Sequence, residues 1–533
     1  MALQVVTGVV GAEGDTHRLN PTVATDCIDG AAILHEVRYP PRTPVLIGVG
    51  QVTQRPVRGA TYASRKAPLD LMVEALELAA DDSGAGRRTL ETIDEVVAVS
   101  SFTWHTADPA LLVARRLGLR GVTTRLTSVG GNTPQKLIHE SARRMLAGEL
   151  TCVAVVGSEA MYSRLLARRE GREVDWMVQD DRVVSPVMAS NDAAPLTAAE
   201  YEQGLNLPTN IYPLFENARR ARLGWSLGEH RERLGQLWSN FAKVAATNPY
   251  AWITDAPSAD EIAQVSEHNR MVSFPYTKML MANVPVDMGA AYILTTFEHA
   301  TSLGVARDAM VFPACGVDAN DHWLISDRPG LDASPAMSVI WDSLQQLGVR
   351  LDVLSSIDLY SCFPTVVQTA CDVLGIDAFD AGFIPSLTGG LTFGGGPGNN
   401  YVTHSICSMV DTLRANPEGQ GLVTGLGWFC TKHSWGTYAT SPPEKGFRHD
   451  QPQETVDRRP RCVSEQRDGV VTVESYTVTH ARDGSPERLI VAARTIDDVR
   501  TWCHSTDEGT MVDAESNDLI GRSATVASDV ISF

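Results

Sequence analysis

The sequence predicts an α/β protein with a duplicated core and a small β domain at its C-terminus. Apolar runs typical of buried strands alternate with helical periods over residues 45–157, and a second round of this alternation occupies residues 290–360. Such alternation is typical of a mostly parallel sheet with helices on both faces. Residues 469–493 instead alternate apolar and polar side chains with a period of two, which indicates antiparallel strands.

The first half of the predicted core begins after the proline-rich segment at residues 40–44. Residues 1–40 show no sustained period, so we interpret them as an N-terminal extension. Amphipathic helices and short apolar strands then follow one another, each ending at a glycine or a polar turn. The predicted elements are a strand at 45–50, a helix from 68 to 83, a strand at 96–100, a helix ending at 118, a helix at 134–146 and a strand at 152–157.

The remaining chain divides into three further parts by composition. Residues from about 160 to 290 are helical and rich in Trp, Tyr and Pro, and are interpreted as an insertion over the sheet. The core then resumes, so that the body spans residues 41–443. Residues 444–468 are polar and charged, a composition typical of a linker. Residues 469–533 form the predicted C-terminal β domain.

The composition excludes several classes of function. The chain has 64 acidic against 45 basic residues, a net charge of −19, which repels nucleic-acid backbones and anionic membrane surfaces. No stretch reaches the about 20 uninterrupted apolar residues of a membrane span, and the N-terminus lacks the pattern of a signal peptide. We therefore expect a protein with neither a nucleic-acid partner nor a membrane partner.

The cysteines indicate the cellular compartment. The nine cysteines are scattered, with no C-x-x-C pair and no histidine at the spacing of metal ligands. An odd, unpatterned set is typical of reduced thiols, which predicts a cytoplasmic protein without disulfides and without a metal site.

A series of short motifs resembles the thiolase superfamily, specifically the sterol-carrier-type thiolases and the thiolase-like proteins with an added C-terminal domain. The resemblance covers residues 44–440, and it depends on the order and separation of the motifs rather than on any one of them. It implies a duplicated, five-layered αβαβα thiolase fold followed by a small OB-like β-barrel. The motifs are 47–51 (IGVGQ), 248–251 (NPYA), 275–279 (PYTKM), 286–291 (VDMGAA), 359–363 (LYSCF) and 389–398 (GGLTFGGGPG).

The resemblance also implies that the thiolase catalytic groups are absent. These enzymes place a cysteine nucleophile at the start of a buried helix, and Asn132 occupies that position to within one residue. The histidine of their Gly-His-Pro turn corresponds to Gly396, and their second cysteine corresponds to a position near Leu426. Their His-Asp-Cys-Phe loop reads Tyr-Ser-Cys-Phe here, beginning at Tyr360. An amide cannot form an acyl-enzyme, so cysteine-dependent thiolysis or condensation is not expected.

Three side chains are the catalytic candidates that remain. Asn132 stands at the position of the nucleophile, and Tyr360 stands where related enzymes hold an acid or base. His433 lies in a segment without a regular pattern, which we interpret as a loop; catalytic, ligand-binding and structural roles all stay open for it. Cys362 and Cys430 are expected to serve mainly in packing. The residues predicted to contact CoA are those of the glycine turn: Gly395, Gly396, Pro397 and Gly398.

Tyr360 suggests a specific chemistry. A tyrosine at the start of this loop resembles the thiolase-like retro-aldolases of sterol side-chain degradation, which lack the cysteine and use tyrosines as acid and base. Those aldolases need an OB-fold partner, and this chain carries a β domain of its own. The domain has few aromatic residues and many acids, so we expect it to dock on the body or on a thioester rather than on nucleic acid.

The resemblance therefore implies a CoA thioester, with no other cofactor, as the ligand. The resemblance suggests the name of an acetyl-CoA acetyltransferase of lipid or sterol metabolism. The activity that it implies for this chain acts on the C–C bond of the thioester without an acyl-cysteine, for example retro-aldol cleavage of a β-hydroxyacyl-CoA. The alternative is a catalytically inactive acyl-CoA-binding or scaffold protein. The sequence also leaves open a homodimer or a partner protein docked on the C-terminal domain. Convergence of Tyr360, His433 and Asn132 on one cavity would favour the enzyme.

Overall fold

The computed structural model describes residues 39–180, 182–188 and 192–533. Residues 39–533 form one compact unit. The predicted N-terminal extension lies outside the described residues except for its last two. The strands are β1 Pro44–Thr53, β2 Glu95–Ala98, β3 Thr123–Leu126, β4 Cys152–Ala160, β5 Met271–Ser273, β6 Tyr276–Thr277, β7 Asp287–Thr296, β8 Phe312–Asn320, β9 Leu354–Asp358, β10 Gln420–Gly427, β11 Lys432–Ala439, β12 Arg448–Asp450, β13 Gly469–His480, β14 Pro486–Thr495, β15 Arg500–Ser505, β16 Ser523–Ala527 and β17 Val530–Ser532.

Fifteen α-helices connect and cover these strands in the described part of the chain. Several begin with proline in the first turn, where its missing N–H costs no hydrogen bond. The helices are α1 Pro68–Asp82, α2 Arg87–Glu91, α3 Pro109–Leu117, α4 Thr133–Ala147, α5 Met161–Arg169, α6 Ala198–Glu202, α7 Pro208–Arg222, α8 Leu227–Thr247, α9 Ala259–Ala263, α10 Phe297–Leu303, α11 Pro335–Gln346, α12 Pro364–Leu374, α13 Tyr401–Ala415, α14 Gln453–Asp457 and α15 Glu508–Ser516.

Two five-stranded sheets form the body. The first has the order β1-β7-β4-β2-β3, and the second has the order β12-β8-β11-β10-β9. In the first sheet the central strand β4 is antiparallel to β7 and parallel to β2, and in the second the central strand β11 is antiparallel to both β8 and β10. Each sheet ends in a parallel pair, β2 with β3 and β10 with β9. The body is therefore built twice from one α/β plan, as the sequence predicts.

The two sheets enclose a pair of helices. Helices α4 and α13 contact each other and strands of both sheets, so they form the central layer. Helices α1 and α3 cover the outer face of the first sheet, and α11 packs on the outer face of the second. Apolar side chains of the strands bury themselves against these three helical layers. The arrangement is a five-layered αβαβα body, which confirms the predicted fold class.

The C-terminal region closes into a small barrel. Strands β14, β15, β17, β16 and β13 pair in that order, and a further pairing between β13 and β14 completes the ring. The predicted insertion contains α5 to α9, and its short strand β5 adds to the barrel sheet at Ser273, opposite Thr479. The barrel is thus connected to the insertion as well as to the end of the body.

The segment predicted as a linker is packed on the body. Strand β12 lies within residues 444–468 and pairs parallel with β8, and Val456 of α14 is completely buried. The barrel is anchored nearby by Arg500, which is inaccessible to solvent and pairs with Glu474. Its guanidinium also donates to the backbone carbonyls of Ser326 and Arg328. No helix in the described ranges is both long enough and apolar enough to cross a membrane.

Candidate functional site

A cavity of about 630 Å³ opens where α4 begins. Asn132 precedes this helix, and the loop before it, together with β8 and β11, supplies most of the wall. Polar and charged side chains dominate the lining. The lining includes Asn132, Lys136, Asp318, Trp323, Lys432 and Ser434.

Asn132 stands at the inner end of this cavity. Its side chain is 4% exposed, and its Nδ2 donates to Oγ of Ser434 at 3.2 Å. Among the described residues its Oδ1 has no hydrogen-bond partner. A buried carbonyl oxygen without a partner is costly, and this one faces Gly130 and Gly427. The start of a 15-residue helix adds a partial positive charge at the same place.

Two lysines give the cavity its cations. Lys432 is nearly buried, and its Nζ donates to the carbonyl of Val129 at 2.7 Å and to Asp192 at 2.6 Å. Burial lowers the pKa of Lys432, although the ion pair with Asp192 opposes that shift. Lys136 lies one helical turn after Asn132 on the same face of α4, so it reaches the cavity too. This spacing of four residues is the sequence signal that could have identified Lys136.

His433 lies in a strand rather than in a loop. It belongs to β11, which pairs with β8 on one side and β10 on the other, so both neighbours impose strand geometry on a segment that lacks a clear period. The loop interpretation of this segment is therefore wrong. Because side chains alternate along a strand, His433 and Ser434 face opposite sides of the sheet.

The imidazole of His433 is directed away from Asn132. Its Nε2 lies 3.4 Å from Oδ2 of Asp321 and 3.2 Å from the carbonyl oxygen of Cys430. Desolvation lowers the pKa of His433, but hydrogen bonding and charge interactions with Asp321 and Cys430 together outweigh it and raise the pKa to about 9. His433 thus contributes to the cavity wall while its ring belongs to a buried ion pair.

Tyr360 lies near Asn132 but does not line the same cavity. Its ring makes an edge-to-face contact with Tyr401, and its hydroxyl approaches Gly131 so closely that a Cβ there would collide with it. That hydroxyl makes no hydrogen bond with any described residue. Burial, with Cys362 and Tyr401 nearby, raises the pKa of Tyr360 well above its ordinary value. At neutral pH the phenol is therefore protonated.

The glycine turn packs against other segments of the body. Gly395 contacts Met288 and Trp252, and a side chain at Gly398 would meet Glu159. Asn399, directly after the turn, accepts a hydrogen bond from the N–H of Gly130 at 2.9 Å. The turn thus braces the start of α4 but does not line the cavity, and its assignment to CoA binding stays a prediction.

The two thiols near the candidate site are buried. Cys362 and Cys430 are 9% and 7% exposed, and neither lines the cavity. Burial raises the pKa of Cys362 to about 12, which disfavours the thiolate that a nucleophile needs. The structure thus brings Asn132 and part of His433 to one cavity, whose wall contains no cysteine. Tyr360 lies behind Gly131, outside that wall.

Comparisons with known proteins agree with this architecture. A family described as "Thiolase-like protein type 1 additional C-terminal domain" matches residues 451–530. The crystal structure of a monomeric SCP2-thiolase-like protein type 1 from Mycobacterium smegmatis is 30% identical, with a TM-score of 0.78, and the match covers 93% of this chain and 100% of that one. No curated protein matches the sequence.

Two more distant structures share the fold. An Ltp2–ChsH2(DUF35) aldolase is 19% identical, with a TM-score of 0.54 over 75% of this chain and 98% of that chain. An acetyl-CoA acetyltransferase from Syntrophomonas wolfei is 15% identical, with a TM-score of 0.52 over 75% and 99% of the two chains. Fold and site therefore define a thiolase-like protein with a C-terminal domain. Within that class, the chain belongs to the SCP2-thiolase-like protein type 1 family.

Proposed function

We propose that this protein binds a coenzyme A thioester in the cavity at the start of α4 and does not form an acyl-enzyme. The observation that carries the proposal is the cavity of about 630 Å³ that opens at Asn132, the residue before α4, and this volume suits a small-molecule ligand. The resemblance implies that Asn132 stands where a thiolase has its nucleophile, and an amide cannot be acylated.

Lys136 and the start of α4 can attract an anionic ligand to the cavity. The other lysine of the wall, Lys432, is paired with Asp192, and Asp318 is a second carboxylate of the lining. CoA carries phosphates, which lysine binds as a point charge. Trp323 adds a flat apolar surface, with its indole N–H anchored on the carbonyl of Ala194 at 3.0 Å, and such a surface can stack on a base.

Binding measurements test this function directly. Isothermal titration calorimetry with CoA, acetyl-CoA and longer β-hydroxyacyl-CoAs should show one site per chain. Loss of a charge-assisted contact costs about 1.5–3 kcal/mol, so Lys136→Ala should weaken binding by about 10–100-fold. Lys243→Ala is the matched control, since this lysine lies on α8 and bonds only to Asn240. Absence of binding by every CoA species would refute the proposal.

Retro-aldol cleavage of a β-hydroxyacyl-CoA is the second candidate function. The free hydroxyl of Tyr360 beside Gly131 favours it, and an aldolase shares the fold at 19% identity. Since the phenol stays protonated, Tyr360 would donate its proton to the α-carbon of the departing acyl-CoA as the C–C bond breaks. The proton of the β-hydroxyl would return to the phenolate as the carbonyl of the second product forms. Loss of a positioned acid costs about 10²–10⁴-fold in rate, so Tyr360→Phe should lose turnover to that extent.

The control for Tyr360 is another buried tyrosine. Tyr476→Phe deletes a hydroxyl that bonds to the carbonyl of Ala514 in the barrel, and it should leave any turnover unchanged. If wild-type protein binds β-hydroxyacyl-CoA without cleaving it, the protein acts as a binder and the aldolase candidate is removed. Equal turnover by Tyr360→Phe and wild type would remove the tyrosine mechanism.

The contacts between the barrel and the body favour a protein that works without a separate docking partner. Asn217 of α7 donates to the carbonyl of Tyr476, and Ser475 donates to the carbonyl of Leu214, so the barrel occupies its own surface of the body. The similar protein from Mycobacterium smegmatis is described as monomeric. We accordingly expect a monomer, and light scattering after size-exclusion chromatography would test that expectation.

A further inference from the structure

We propose that His139, Asp318 and His449 form a binding site for a divalent metal ion, zinc by the nature of its donors, in the wall of the cavity. Their ligand atoms all lie within 4.8 Å of one another. The site does not depend on the proposed thioester function, because metal binding is measurable without any acyl-CoA.

The three side chains converge from three elements. His139 lies on α4, Asp318 on β8 and His449 on β12. Nδ1 of His139 is 3.0 Å from Oδ1 of Asp318, and Nε2 of His449 is 2.7 Å from Oδ2 of the same carboxylate. A tetrahedral zinc site with bonds of about 2.0–2.2 Å holds its donor atoms about 3.4 Å apart, so only small side-chain rotations are needed to admit the ion.

Two glycines in β8 and β11 leave room for this cluster. Gly316 and Gly436 lie opposite each other in the pairing of β8 with β11. A Cβ on Gly316 would collide with the ring of His139, and a Cβ on Gly436 would collide with Gln135. His449 lies beside Gly316 in the pairing of β12 with β8, on the same face as Asp318 two residues further. Side chains absent at two adjacent positions create the space that the imidazole occupies.

Gln135 and Tyr438 orient the ring of His139. The Nε2 of His139 is 3.0 Å from the amide nitrogen of Gln135, and Gln135 in turn bonds to the hydroxyl of Tyr438 at 2.7 Å. Since amide nitrogen and oxygen are exchangeable assignments, Gln135 can accept from the Nε2–H of a histidine whose Nδ1 binds metal. Partners of this kind fix the ring and tautomer of metal-bound histidines. The ring of His449 stacks on Phe447.

The cluster opens towards the candidate site. The side chains of His139 and His449 are 1% and 7% exposed, whereas that of Asp318 is 11% exposed and lines the cavity. Asp318 pairs in register with Ser434, the residue that bonds to Asn132. Three protein ligands with a position open to a cavity are typical of catalytic zinc sites. A water or a carbonyl oxygen of a ligand in the cavity would take that position.

The donor set decides the identity of the ion. Two imidazole nitrogens and one carboxylate oxygen suit zinc, whereas calcium and magnesium prefer oxygen ligands alone. The competing explanation is a metal-free network in which both histidines donate to Asp318. The two explanations differ in whether the folded chain takes up metal with defined stoichiometry.

Metal titration of the full chain separates these explanations. Protein stripped with a chelator should bind one equivalent of Zn²⁺ in calorimetry, and Co²⁺ should give the visible absorption of a low-symmetry nitrogen and oxygen site. Loss of a hydrogen-bond partner of a metal-bound histidine typically weakens metal binding by about 10–100-fold, so Gln135→Leu should show a loss of that size. His449→Gln and Asp318→Asn should lose more.

The control is a histidine of similar appearance outside the cluster. His480→Ala removes the barrel histidine that pairs with Glu515, and it should keep one equivalent of zinc and the cobalt spectrum. The cobalt spectrum of the wild-type chain decides the question even if a ligand variant fails to fold. Absence of stoichiometric zinc uptake by folded wild-type protein would overturn the site, and so would wild-type affinity in both His449→Gln and Asp318→Asn.

Discussion

Asp318 and Asp321 are two buried carboxylates only three residues apart, and each lies against histidine. Burial raises the pKa of both carboxyls, but their partners outweigh it and bring both pKa values below the ordinary range. For Asp318 these partners are His139 and His449, and for Asp321 they are His433 and Arg328. By charge and partner type alone the two sites look equivalent.

Their surroundings differ in the direction that each one faces. Asp321 is bonded to the hydroxyl of Ser334 and accepts from the N–H of Ala336 at 2.9 Å, so it holds the start of α11, and its side chain is 1% exposed. Asp318 faces α4 and the cavity. A carboxylate whose oxygens accept hydrogen bonds from backbone and hydroxyl donors is therefore structural, whereas a carboxylate that lines a cavity belongs to a candidate site.

Replacement of each carboxylate should give the largest difference between the two sites. Asp321→Ala leaves His433 without its partner in a buried ion pair, which typically costs about 3–5 kcal/mol of unfolding free energy. Asp318→Ala should cost less, about 1–3 kcal/mol, because water in the cavity can replace the carboxylate. Urea denaturation midpoints of both variants would measure the difference. Equal losses would show that the two carboxylates do the same structural work.

Of the two sites, the Asp321 side should dominate the pH dependence of stability in the alkaline range. Folding raises the pKa of His433 from 6.5 to about 9, so its contribution is complete below pH 6.5 and is lost as pH rises to about 9. Stability of the wild type should therefore fall over this range more than that of His433→Gln. Asp318→Ala should keep the alkaline fall of the wild type. Identical pH profiles for wild type and His433→Gln would contradict the assignment.

The smallest effect on stability is expected at Asn132. Asn132→Ala removes one hydrogen bond to Ser434 and also removes an oxygen that has no partner in the described chain, so the net cost should be about 1 kcal/mol or less. Thermal unfolding with Ser434→Ala as the matched variant would measure it. A loss as large as that of Asp321→Ala would mean that Asn132 holds the fold rather than a ligand.

The sequence predicted the core elements because their patterns are local. The helix expected at 134–146 is α4, and the strand expected at 152–157 lies within β4. Both depend on a regular period and on clear end signals, such as the Gly148 that ends α4 in the left-handed conformation. The duplicated body follows from repetition of such patterns, so its prediction needed no long-range information.

The site was less predictable because its geometry depends on distant pairing. The sequence pattern predicts a loop at His433, but its pairing with Leu426 and Ala319 makes it a strand residue. This pairing fixes the side of the sheet on which its ring lies. Asp318 lies 179 residues from His139 and 131 residues from His449, so no spacing rule could connect them. Only the meeting of α4, β8 and β12 brings these ligands together.

Mass spectrometry of the protein mixed with acetyl-CoA tests the central claim, a bound thioester without an acyl-enzyme, most directly. Under native conditions we expect a complex of one chain with one acetyl-CoA. Under denaturing conditions we expect the unmodified mass, because Asn132 cannot be acylated and burial, which raises the pKa of the Cys362 thiol to about 12, keeps that thiol protonated. An acetyl adduct that survives denaturation and maps to Cys362 or Cys430, or a native spectrum without any complex, would contradict the account.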